Sequence, residues 1–307
     1  MRPSYLAGLL AAQSSGHHEC AKLWKPTASE GTGTFATTNL MNMFDKDILC
    51  ATDLTPAADQ AVRAAVILAE RSGIHVSLLH VLSRNERSDE GREDVLQRMR
   101  AQAELAHGGE HVSHKLLDGD FMKRIAEETA KDHSMLVLGT HGPRGIRQTL
   151  FGADILKLVR ASEIPSLVVQ EGTDTTRLLE RIVLPVAAHS DIDRLLDVVC
   201  ALAKVFASEV HVYQLMRPME SPSDELLANK LRMLQCMERE NIRHLEVNEP
   251  STTFSIGFAE PTINYAERIG SGAIAIMSHA SDEYRYIADA EKERILANHA
   301  RIPVICI

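Results

Sequence analysis

Residues 48–56 read ILCATDLTP, and this stretch decides the fold. Its apolar residues run continuously, without the polar alternation of a strand that has one wet face. Thr52-Asp53 ends the run, and Thr55-Pro56 opens a helix, because proline is tolerated in the first helical turn. Ala61, Val62, Ala65, Val66 and Ala69 then follow at helical spacing within 56–71. A buried strand feeding an amphipathic helix is one βα unit. Outward from it the pattern continues. Strands are predicted at 74–82 (IHVSLLHVL), 111–117, 135–138 (MLVL) and 165–170 (PSLVVQ), with helices at 89–107, 121–132 and 152–161. Such alternation implies a parallel sheet with helices on both faces.

The same order then recurs. Residues 181–187 (RIVLPVA) match the first strand, 190–206 the first helix and 209–216 (EVHVYQLM) the second strand. A helix at 223–240, a third strand at 251–257, a helix at 260–269, a strand at 273–277, a helix at 290–299 and a last strand at 302–307 complete the copy. Self-similarity of this kind indicates tandem domains, expected at 45–171 and 180–307, with 171–179 as the connection. Residues 1–44 differ. From 13 to 42 they are rich in Ser, Thr and Gly without an apolar period, and are expected to be a disordered extension or a misassigned start. His17-His18-Glu19-Cys20 supplies metal-ligating side chains but no geometry, so no metal site is expected there.

Composition agrees with two α/β domains. The 307 residues are 45% hydrophobic and 24% charged, a globular mixture. A net charge of −9 argues against a general nucleic-acid binder or an anionic-membrane binder. No apolar run approaches the length of a membrane span. The five cysteines are an odd number without C-x-x-C, which fits a reducing cytoplasm and disfavours both a disulfide framework and structural zinc.

In an open parallel sheet, ligands bind beyond the carboxyl ends of the strands where the winding reverses. Asp53 ends the first strand. Gly139 ends the fourth and opens a loop that runs through Gly142, Arg144 and Arg147 to Gly152. Gly152 begins a helix, whose free N–H groups suit a phosphate, and the arginines add positive charge. Asp53 can accept hydrogen bonds from an adenine or a ribose. Taken singly, Asp53 is a helix cap and the glycines make turns; their joint placement at adjacent strand ends favours a ligand site. No catalytic residue emerges. His141 has no nucleophile beside it, and neither G-x-x-x-x-G-K-[ST] nor G-x-S-x-G occurs. His80 and His279 are expected to be satisfied locally, and Cys50 and Cys306 to be inert core thiols.

These residues resemble the universal stress protein family in its tandem-domain form. Its ATP-binding signature is G-x2-G-x9-G-[ST], and Gly139, Gly142 and Gly152 stand at that spacing, with Ala153 in place of the hydroxyl residue. The resemblance makes Asp53 the adenine-contacting carboxylate and Val81 the residue whose backbone meets the base. It implies five strands in the order 3-2-1-4-5 in each domain, ATP as ligand with Mg2+ left open, a cytoplasmic stress-response role and an unidentified protein partner. It also implies pairing through the fifth strands, within the chain as a pseudo-dimer or with a second copy as a homodimer. Three functions compete: an adenine nucleotide as regulatory ligand, a nucleotide-independent interaction scaffold favoured by Ala153, and slow ATP hydrolysis or self-phosphorylation, for which no base or Mg2+-ligand set is found. In the second copy, Ala187 replaces the Asp, Met277-Ser278-His279-Ala280 replaces the G-x2-G opening, and Ala290-Glu291 replaces Gly-[ST]. That copy is expected to bind no nucleotide.

Overall fold

The computed structural model describes residues 42–140, 152–217, 221–251, 257–280 and 288–307. Most of the expected extension, residues 1–41, lies outside them, as do His141, Gly142, Arg144 and Arg147 of the glycine loop; its last residues, Asn42–Phe44, are not disordered but form a 3-10 turn with Phe44 buried in the core.

The first half runs β1 (Asp47–Ala51), α1 (Pro56–Ser72), β2 (Val76–Leu82), α2 (Asp89–Leu105), β3 (Val112–Asp118), α3 (Phe121–Thr129), β4 (His133–Thr140), α4 (Gly152–Ala161) and β5 (Ser166–Gln170). The second runs β6 (Arg181–Pro185), α5 (Asp193–Phe206), β7 (Glu209–Met216), α6 (Asp224–Arg239), β8 (Arg243–Pro250), α7 (Ala259–Arg268), β9 (Ala273–Ile276), α8 (Ala288–Leu296) and β10 (Val304–Cys306). The helix boundaries follow local chemistry. Pro56 sits in the first turn of α1, and Gly73 closes that helix at φ +70°, a left-handed conformation that glycine adopts without strain. Ser88, Asp120 and Ser223 cap α2, α3 and α6 by accepting a backbone N–H through the side chain.

All ten strands form one sheet in the order β3-β2-β1-β4-β5-β10-β9-β6-β7-β8. Each half is therefore parallel in the order 3-2-1-4-5, and the halves meet where β5 and β10 pair antiparallel, Val168 opposite Val304. Both strands are apolar and completely covered at this junction. Left open, either would be an edge inviting association with another chain. One apolar layer covers each face of the sheet and continues across both halves: Val62, Leu68, Val198 and Leu202 on one side, Ile125, Ile155, Ile263 and Ile295 on the other. Helix-to-helix polar contacts reinforce the junction. Arg160 of α4 donates to the Ser278 carbonyl at 3.0 Å and grips Asp289 of α8 with both terminal nitrogens, at 3.0 and 2.5 Å.

One expected strand needs correction. The third strand of the second half is β8, Arg243–Pro250, not 251–257. It is an outer edge paired only to β7, so its residues RHLEVNEP alternate between exposed and half-buried and never form an apolar run. A second feature is that the connection at 171–179 packs against the fold. Thr175–Arg177 forms a 3-10 turn, Leu178 and Leu179 are buried, and Ser208 Oγ donates to the Leu179 carbonyl at 2.5 Å. A Cβ on Gly272 would meet the Arg177 carbonyl oxygen at 2.0 Å, so the segment lies directly against the backbone that leads into β9. A third feature was not foreseen: the buried thiols of Cys200 on α5 and Cys236 on α6 lie 3.4 Å apart.

Candidate functional site

The winding of the first half reverses between β1 and β4, so their carboxyl ends flank the crevice. Asp53 follows β1 and is exposed. Its Oδ1 accepts from the Thr55 N–H at 3.0 Å and the Thr55 hydroxyl at 2.5 Å, a turn that leads into α1. The N-cap of α1 is Thr55, so Asp53 is not the cap expected but holds the turn before it, and this is compatible with binding because Oδ2 has no partner among the described residues. Leu54, at φ +60°, makes the sharp change of direction between strand and helix.

Behind Asp53 the turn is held by a buried polar chain. The Thr52 hydroxyl donates to Gln102 Oε1 at 2.7 Å and accepts from the Leu54 N–H at 3.0 Å, while Gln102 Nε2 donates to Asp59 at 2.6 Å. On the other side His80 Nδ1 donates to the Thr52 carbonyl at 2.8 Å, and Nε2 faces Glu86 at 3.4 Å. Burial pushes the Glu86 carboxyl up, but hydrogen bonds from Ser83 and His80 outweigh it and hold the group below the usual carboxylate range. His80 is satisfied locally, as expected, yet its partner is the residue just before Asp53. The signal for this support was present in the sequence as Ser83-x-x-Glu86, a capping box that the structure forms.

Gly139 pairs with Val169 near the end of β4. A Cβ built there would stand 3.0 Å from both the Ala57 carbonyl oxygen and the Ala58 Cα. Glycine is needed here for close approach, not for a positive φ: it lets the first turn of α1 rest on β4. Val81 is buried on β2, paired with Leu117 of β3, one strand beyond Asp53. Asp53, Val81 and Gly139 therefore lie at the carboxyl ends of three neighbouring strands. Gly152 begins α4, with Ala153 and Asp154 in its first turn. Asp154 accepts from Lys157 at 3.3 Å, so part of its charge is balanced along the helix. Gly142 and Arg144, the remaining expected contacts, fall outside the described residues.

The second half treats the same places differently. Ala187 follows β6 where Asp53 follows β1, and offers no carboxylate. Glu291 in the first turn of α8 turns its carboxylate to the start of α7, where Oε2 accepts the Ala259 N–H at 2.8 Å. A protein carboxylate thus occupies that helix N-terminus. Among the described residues no helix is long and apolar enough to cross a membrane.

Comparison with known proteins bears on this arrangement. The model of the universal stress protein family matches residues 45–170. No curated protein matches the chain. Among solved structures, a universal stress protein from Archaeoglobus fulgidus DSM 4304 superposes over 86% of this chain and 98% of its own, with a TM-score of 0.65 at 16% identity. A functionally unknown protein from Pseudomonas aeruginosa PAO1 covers 88% of this chain and 94% of its own, with a TM-score of 0.53 at 18% identity. A putative universal stress protein from Pseudomonas aeruginosa UCBPP-PA14 covers 86% and 94%, with a TM-score of 0.52 at 18% identity. At such identities these superpositions establish the two-fold repeated fold and nothing finer. Residues 45–170 are thus similar to the universal stress protein family, and the second half repeats the same fold.

Proposed function

We propose that the first half binds an adenine nucleotide, ATP in the first instance, as a regulatory ligand in a cytoplasmic stress response. The observation that carries this reading is Asp53: an exposed carboxylate at the β1–β4 reversal, fixed through Oδ1 and with Oδ2 unengaged among the described residues. It supplies an acceptor for an exocyclic amine or a ribose hydroxyl, and the start of α4 supplies N–H donors for phosphate. In this reading the nucleotide acts as a ligand and not as a substrate.

Ala153 favours a second reading, a scaffold that binds its protein partner without nucleotide. It cannot offer the phosphate the hydroxyl of the family signature. Titration calorimetry and native mass spectrometry separate the two. The first reading expects one ATP per chain, lost in Asp53→Ala. Two equivalents per chain would contradict the asymmetry of the halves, and no binding with a folded protein would leave the scaffold.

A further inference from the structure

The crevice of the second half has not closed. At the carboxyl ends of β6, β7 and β9 a cavity of about 80 Å³ is lined by Ala187, Leu215, Met233, Phe258 and Ile276. Strand register identifies the place. Val210 pairs with Ile182 as Val76 pairs with Ile48, so Ala187 and Leu215 stand where Asp53 and Val81 stand in the first half. The carboxylate is gone, and the walls are almost entirely apolar.

Four polar side chains interrupt those walls, His189, Thr262, Tyr213 and Lys292, and the last two have spare hydrogen-bonding capacity among the described residues. Lys292 of α8 is only 3% exposed and lines the cavity. Its ammonium donates to the His279 carbonyl. Its other two N–H donors have no partner among the described residues. The nearby carboxylate of Asp289 is engaged by Arg160. Burial, with Arg160 adding to it, pushes the Lys292 pKa down to about 8. Tyr213 of β7 is 1% exposed, also lines the cavity, and its hydroxyl has no hydrogen-bond partner among the described residues. Buried polar groups are ordinarily satisfied, because each unpaired one costs the free energy of its lost hydration. A buried cation with two donors unmatched among the described residues, in a mostly apolar cavity, matches an anion that carries a hydrocarbon part.

We propose that the second half binds a short-chain apolar carboxylic acid, with the hydrocarbon in the cavity and the carboxylate on Lys292. The cavity is about half the ~150 Å³ that holds a benzene ring, so the chain length it suits is about three to four carbons. This site is independent of the nucleotide reading of the first half. It means that the second half has exchanged its ligand class and has not merely lost a function.

The test uses the full chain and two probes of equal length, butanoate and butan-1-ol, titrated by NMR with 15N-labelled protein. Butanoate is expected to bind saturably and about tenfold tighter than the alcohol, the effect of one charge-assisted hydrogen bond. Lys292→Met should abolish that preference while leaving alcohol binding intact, and Ala187→Phe should fill the cavity and abolish both. Each methylene from acetate to butanoate should tighten binding about fourfold. Equal affinity for acid and alcohol in the wild-type chain overturns the assignment of Lys292. No saturable binding of either probe below about 10 mM, with a folded protein, overturns the site. Competition by ATP for the same resonances would show a nucleotide crevice and overturn the proposal as well.

Discussion

Gly139→Ala is the sharpest probe of how the first half positions its crevice. The new methyl would stand 3.0 Å from the Ala57 carbonyl oxygen and from the Ala58 Cα, both backbone atoms that cannot rotate away. The first turn of α1 must therefore lift from β4 by a few tenths of an ångström. Forced overpacking of this kind costs about 1–3 kcal/mol, which in a domain of this size lowers Tm by roughly 2–10 °C. The same shift moves Thr55, which orients Asp53 through two hydrogen bonds. ATP affinity should fall about fivefold or more, the partial loss of one charge-assisted hydrogen bond. Gly73→Ala supplies the control. Its Cβ meets nothing within 4 Å, but its φ of +70° strains any other residue, at a cost of about 1–2 kcal/mol. Both variants should melt earlier in differential scanning calorimetry, and only Gly139→Ala should weaken ATP in titration calorimetry. If Gly139→Ala binds ATP as well as the wild-type chain, the close seat of α1 on β4 does not position the site, and the reasoning fails.

Other expectations are simpler. Ala153→Ser should tighten ATP about three- to tenfold by restoring a hydroxyl in the first turn of α4; unchanged affinity in calorimetry would place the phosphates elsewhere. Glu128 is 1% exposed and contacts Lys115, Lys131 and His133. Burial pushes its carboxyl up, but these hydrogen bonds outweigh it and hold the pKa down at about 2, against an ordinary 4.5. The folded pKa is the lower one, so its stabilisation is complete above pH 4.5 and is lost as pH falls toward 2; with Lys115 and Lys131 partly solvated it amounts to about 2 kcal/mol. Urea melts of Glu128→Gln should show that loss near neutrality and a flatter profile between pH 5 and 2, and parallel profiles would refute the account. A double-mutant cycle on Arg160→Ala and Asp289→Ala should return a coupling of about 1 kcal/mol, reduced by solvent at Asp289, and zero coupling would mean that the ion pair does not hold the halves together.

The fold was legible wherever a strand is buried on both faces. The runs at 48–52, 135–138 and 273–277 have no wet side, so hydrophobicity alone marks them. β8 carries no such mark, because an outer strand with one neighbour needs no apolar run, and Arg243, Glu246 and Asn248 leave no trace of a core. At the crevice, Asp53 and Gly139 could be singled out because they sit next to strand ends that were already placed. The chain from Asp59 through Gln102 to Thr52 could not, because it joins residues about fifty positions apart that only the packing of α2 on α1 brings together. The role of Gly139 was half legible: the residue type announced a close approach, but not that the neighbour is the first turn of α1. Lys292 gave no signal at all, since a lysine in a polar helix reads as solvated until the fold buries it.

The antiparallel β5–β10 seam has a consequence for what each half is free to become. When two separate copies meet through such a seam, the rotation that relates them makes their two crevices chemically identical, and any change in one gene product appears in both. Joining the copies in one polypeptide lifts that constraint while keeping the shared sheet. A carboxylate can then persist at Asp53 while its counterpart becomes Ala187. A protein built this way can answer two unlike molecules with a single rigid body, which no assembly of identical halves can do.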